Sequence, residues 1–137
     1  MTRQYYEPGS EFRKERVPSS VRFMFVRDLL GEGLLLFNEG RFYDAHEVWE
    51  DLWRVTEDPS LKTCYQGLIQ AAVGLHHLGR GNLIGARSQL GKSIRNLQVG
   101  LGIGTGLDID ALIGDLQELL DTMTGPTPSA LRIARLK

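Results

Sequence analysis

Cys64 is the only cysteine in the 137-residue chain, which excludes an internal disulfide and any zinc cluster built from several thiolates. Long apolar runs are also missing. The longest, such as Leu34-Leu35-Leu36-Phe37 and Leu68-Ile69, fall far short of the ~20 residues that a helical membrane span needs. Arg3 is followed by no apolar stretch of the kind a secretory leader carries. The expectation is a cytoplasmic protein without a membrane partner. An excess of either charge is absent too, because 16 Lys and Arg against 17 Asp and Glu leave a formal charge of -1. No global field recruits nucleic acid or anionic lipid. Arg87, Lys92 and Arg95 do not share one helix face, so no local basic stripe replaces that field and no nucleic-acid partner is expected.

What is there is helical periodicity, in a chain of single-domain size. Residues 1–20 are polar, carry Pro8 and Pro18, and read as a loose N-terminal arm. A bundle domain is predicted over 21–124 and a basic tail over 125–137. Within the bundle, Val21 to Asn38 shows helical spacing interrupted by Gly31 and Gly33, and Asn38-Glu39-Gly40 supplies a helix end. The second helix is predicted from Arg41 to about Val55. Asp58-Pro59 opens the third, because Asp accepts free N–H groups and Pro loses nothing at the first helical position. That helix should run to Gly79, and a fourth from Leu83 to about Val99, with Ala86, Leu90, Ile94 and Leu97 inward. Gly100, Gly102, Gly104 and Gly106 alternate with no preceding strand and no following GK[ST], so they read as a flexible linker and not a phosphate loop. Asp108 or Asp110 caps a fifth helix ending near Thr124.

An internal echo runs through the first four helices. Gly33, Gly40, Phe42, Ala45 and Trp49 recur as Gly74, Gly81, Leu83, Ala86 and Leu90, each 41 residues later. Glycine making a turn and alanine allowing close approach resemble the turn and second helix of a tetratricopeptide repeat. Two units are fewer than a solenoid needs. The predicted fold is all-α: a compact bundle of about five helices built on two tetratricopeptide-like hairpins, with the fifth helix covering an open side.

The chemistry concentrates in the second helix, where Phe42 to Trp53 holds two Trp, one His and four carboxylates. At ~100° per residue, Phe42, Ala45, Val48, Trp49, Leu52 and Trp53 share an apolar arc with His46 and Glu50 at its edge, while Glu47, Asp51 and Asp44 turn toward water. The third helix is apolar round most of its circumference and should be central, leaving a stripe of Thr63, Gln66, Gln70 and His77 beside Gly67 and Gly74. An unpaired buried amide costs on the order of 1–3 kcal/mol. The stripe is therefore expected to meet His46 and Glu50 in one polar cluster, with Trp49 and Trp53 as walls and both glycines as points of close helix approach. Cys64 lies on the apolar face and reads as a buried, unreactive thiol.

At this point two segments carry a family resemblance. "LFNEGRFYDAHEVWEDLWR" followed by "YQGLIQAAVGLHHLGRGNLIGA" resembles the small all-helical domain-of-unknown-function family 309, with its His-Glu-x-Trp-Glu helix and following Gln-Gly-Leu-Ile-Gln helix. The resemblance extends from about Val21 to Leu97 and matches the motif at Phe42, Ala45, His46, Glu47, Trp49, Glu50, Trp53, Gln66, Gly67 and Gln70. It implies a helical bundle and brings no activity with it.

Two functional expectations follow. In the first, His46 and Glu50 are catalytic, His46 as acid/base with Glu50 orienting it in hydrolysis or proton transfer, and Glu47, Trp49, Trp53, Gln66, Gln70 and His77 bind a small ligand. His46-Glu47-Val48-Trp49-Glu50 is also one residue away from the HExxH zinc helix, so His46, Glu50 and His77 form a candidate divalent-metal set. The competing explanation is a plain His46–Glu50 hydrogen bond or a Glu50–Arg54 pair, and the low ligand count favours it over metal. In the second, the hairpins form a groove for a peptide segment and the polar cluster only sets helix register. A homo-oligomer is open under either.

Overall fold

The computed structural model describes residues 19–123, 133, 134 and 136. The arm expected at 1–20 lies outside them except for Ser19 and Ser20, and so does most of the expected tail. Five α-helices follow in order: α1 (Ser19–Asn38), α2 (Phe42–Val55), α3 (Pro59–Gly79), α4 (Leu83–Leu97) and α5 (Ile109–Thr122). A 3₁₀ turn over Gln98–Gly102 continues α4, and no β-strand occurs among the described residues. None of their helices is long and apolar enough to cross a membrane.

The caps are local and match the spacing of the sequence. Asp58 accepts from the Leu61 N–H at 2.9 Å, Asn82 from Gly85 at 3.0 Å and Asp108 from Ala111 at 3.1 Å. The two hairpin turns are equivalents. Gly40 and Gly81 have φ of 83° and 79°, a region open to glycine and strained for side chains. In each turn the next residue's N–H bonds back five positions, Arg41 to Leu36 O at 2.9 Å and Asn82 to His77 O at 2.9 Å. Ala45 and Ala86, at matching positions, are both fully buried.

Glycines of the first helix in each hairpin make room for a large residue of the second. Gly33 does not interrupt α1, which is continuous through Gly31 and Gly33. A Cβ on Gly33 would overlap the Trp49 indole, and one on Gly74 would come within 2.7 Å of Leu90 Cδ2. The same notch thus recurs in both hairpins.

As expected, α3 is central, with α2 on one side and α4 on the other. Cys64, Leu68, Ala71, Ala72 and Leu75 are fully enclosed in the core with Phe37, Trp49, Leu52, Leu90 and Leu97. Phe37 lies between Phe42 (ring centroids 5.1 Å apart, edge-on) and Trp49 (5.7 Å). Two connections differ from expectation. The glycine-rich segment is not a slack linker throughout, because its 3₁₀ turn packs on α3 with Gly100 buried directly against the Cys64 sulfur. The tail contributes Ile133 to the core. Asn38, at the end of α1, accepts from the Ile133 N–H at 2.7 Å and donates to its carbonyl at 3.1 Å. Ala134 O and the Leu136 N–H pair with the backbone of Asp108 and Gly106.

Candidate functional site

Helical spacing sets His46 and Glu50 one turn apart on α2, and His46 Nε2 lies 3.1 Å from Glu50 Oε2. His46 Nδ1 is enclosed, with no hydrogen-bond partner among the described residues. The tautomer that leaves only a lone pair unmatched there carries its hydrogen on Nε2, and so donates to Glu50. The imidazole is 17% exposed and the carboxylate 44%: the histidine stands behind, and Glu50 reaches outward. Its other oxygen, Oε1, is 3.7 Å from Arg54 Nη2, while Arg54 Nη1 bonds Asp51.

Beside Glu50 an open groove of about 250 Å³ separates α2 from α3. Glu50, Trp53 and Arg54 line it from α2, and Gln66 and Ile69 from α3. Gln66 is half-buried and makes no hydrogen bond to another described residue, so its amide is free to act as donor and acceptor. The Lys62 ammonium lies 4.2 Å from the centroid of the Trp53 ring. From Asp44 to Asp58 six carboxylates accompany one arginine, Arg54.

The expected cluster assembles only in part. His46, Glu50, Trp53 and Gln66 share the α2–α3 seam. Gln70 does not join them, since its side-chain oxygen accepts from Asn96 Nδ2 of α4 at 2.8 Å. His77 likewise turns to α4, with Nδ1 3.3 Å from Asn82 Nδ2. Gly67 and Gly74 are points of close approach, but to Leu97 and Leu90 of α4 and not to α2. Ser93 reinforces that seam by donating to Gly67 O at 2.7 Å. Trp49 walls no groove: its indole is wholly buried and donates to Leu30 O of α1 at 3.2 Å. Glu47 is exposed on α2, outside the groove lining.

These placements correct the candidate metal set. His77 is held on the α4 side, away from His46 and Glu50, and no group of three or more His, Cys, Asp or Glu side chains is arranged to hold a metal ion among the described residues. The histidine that does approach His46 is His76, through Tyr43, whose ring centroid is 5.2 Å from each. Burial, then the charges of Arg80, His77 and His46, hold the His76 pKa below its ordinary value. Ile69 and Tyr43 are the site residues that motif reading passes over, whereas Arg54, one turn beyond Glu50, is the partner expected for Glu50 in the competing explanation. Cys64 is the buried thiol expected, its pKa pushed up to about 11 by burial.

Comparison with known proteins bears out the family resemblance. Residues 30–89 match DUF309, described as a domain of unknown function. The matched segment therefore holds both hairpin turns and every lining residue of the groove. An uncharacterised protein of Aquifex aeolicus (strain VF5) is 30% identical over 105 residues, covering 77% of this chain and 32% of that protein. The uncharacterised protein YpuF of Bacillus subtilis (strain 168) is 33% identical over 82 residues, covering 60% of this chain and 46% of that one. The chain thus spans less than half the length of these relatives. Neither relative is described by an activity.

Proposed function

We propose that this chain is a small-ligand-binding domain whose site is the groove between α2 and α3. The observation that carries the reading is an open cavity of about 250 Å³ in which a carboxylate, anchored from behind by His46, faces the unengaged amide of Gln66. Convergent polar groups beside apolar walls, here Trp53 and Ile69, characterise ligand sites. Pre-orientation by His46 lowers the entropy lost when Glu50 meets a ligand. Because one His46 nitrogen is engaged and the other enclosed, Glu50 is the group able to touch a ligand or exchange a proton with it, and His46 positions Glu50. This reverses the order that the motif suggests.

A thermal-shift screen of metabolites on the whole chain, followed by the indole N–H resonances of the two tryptophans, tests the proposal. A ligand at the groove moves the Trp53 signal and leaves that of Trp49 in place. Glu50→Gln should then fold and lose binding.

The recurrence of turn, notch and buried alanine in both hairpins favours a second reading, a tetratricopeptide-like interaction module in which the polar pair only sets register. There, Glu50→Gln lowers stability by about 1.5–3 kcal/mol, a protein partner still binds, and no metabolite moves Trp53.

A further inference from the structure

We infer that the ligand of this groove is a small free aliphatic amine bound as its ammonium ion. The inference rests on the groove being a ligand site and names its chemistry. Glu50 supplies the counter-charge. Its Oε2 is held by His46, and among the described residues its Oε1 has only Arg54, at 3.7 Å. Arg54 is 61% exposed and also bonded to Asp51, so an incoming ammonium can take Oε1 while Arg54 keeps its other partner. An anion meets the opposite situation. It must draw Arg54 from two carboxylates on the same helix while lying against Glu50, in a stretch where six carboxylates accompany one arginine.

The remaining walls fit the rest of such a molecule. Gln66 offers a side-chain carbonyl to a second ammonium hydrogen, and Ile69 and Trp53 offer apolar surface to methylenes. An alkylammonium already uses this indole, since Lys62 of the chain itself lies over it. At roughly 30 Å³ for each water-sized group, the cavity of about 250 Å³ has room for about eight non-hydrogen atoms, enough to admit a four- or five-carbon amine or diamine.

Calorimetric titration of the full chain with putrescine, cadaverine and n-butylamine, paired with the Trp53 indole resonance, tests the inference against n-pentanol and butyrate. Saturable amine binding that moves Trp53, at least tenfold stronger than for alcohol or carboxylate, is the expected result. Glu50→Gln should weaken it tenfold or more, and Asp115→Asn, an exposed carboxylate on α5, should leave it unchanged. Equal weakening by both variants would mean general surface charge and overturn the inference. Should Glu50→Gln fail to fold, Gln66→Leu must weaken amine binding severalfold, and an unchanged affinity overturns it. If butyrate or pentanol moves Trp53 as effectively as the amines, the amine assignment falls and the ligand-site reading stands. If no compound of any class moves Trp53, both fall.

Discussion

His76 shows how a single residue's environment becomes measurable. Its ring faces Tyr43 and the imidazole of His77, with His46 and Arg80 near enough to add positive charge. Burial and those charges disfavour the imidazolium, so its pKa in the folded chain lies below the ordinary 6.5 that the unfolded chain retains. As pH falls through 6.5 toward the lowered value, the unfolded chain binds the proton first and stability is lost. Above 6.5 the contribution is fully present. His76→Gln should therefore flatten the decline in melting temperature between pH 7.5 and 5.5, by a small amount because the side chain is partly solvated. A variant whose decline parallels wild type would assign the pH dependence elsewhere. Residue type alone hid this position. His76 and His77 are adjacent and equally polar, and sequence reasoning chose His77, which belongs to the α4 side.

Between helices, the glycine contacts set the distances. At Gly67 an added Cβ would meet both the side chain and the backbone nitrogen of Leu97 at 2.9 Å, whereas at Gly74 the nearest obstruction is the movable end of Leu90, with backbone at 3.3 Å. Backbone cannot turn aside as a side chain can. Gly67→Ala should lose about 1–3 kcal/mol through overpacking, offset in part by the ~1 kcal/mol alanine gains over glycine within a helix, and Gly74→Ala should lose less. Urea unfolding of the two variants checks the order, and a Gly74 variant less stable than its Gly67 counterpart would contradict it. The α3 wheel also explains the divided polar stripe. Gln66 and Gln70 are only ~40° apart on a helix, yet the border between the neighbours α2 and α4 runs between them. Gln66 opens on the groove and Gln70 pairs with Asn96.

For the molecule as a whole, the link between α1 and the tail joins parts 95 residues apart. Asn38 gives both of its amide groups to the Ile133 backbone, and the Ile133 side chain fills part of the core. Asn38→Ala removes two hydrogen bonds at about 0.5–1.5 kcal/mol each, and Ile133→Ala should lose about 2–5 kcal/mol. Because the two residues form one clamp, the double variant should lose less than the sum. Additive losses in urea unfolding would mean that the tail contributes to stability independently of Asn38.

Helix identity, the Asp58 cap, the Gly40 and Gly81 turns, the centrality of α3 and the His46–Glu50 contact were all determined by the sequence itself, which also narrowed the α5 cap to Asp108 or Asp110. Each depends on groups a few residues apart or on the circumference of one helix, so spacing alone encodes it. Only the tertiary structure decided which neighbour each arc of α3 meets, why Trp49 is core while Trp53 borders a groove, and where Ile133 packs. A helix buried on two sides presents polar residues whose partners depend on how neighbouring helices pack across the chain. No local pattern records that choice.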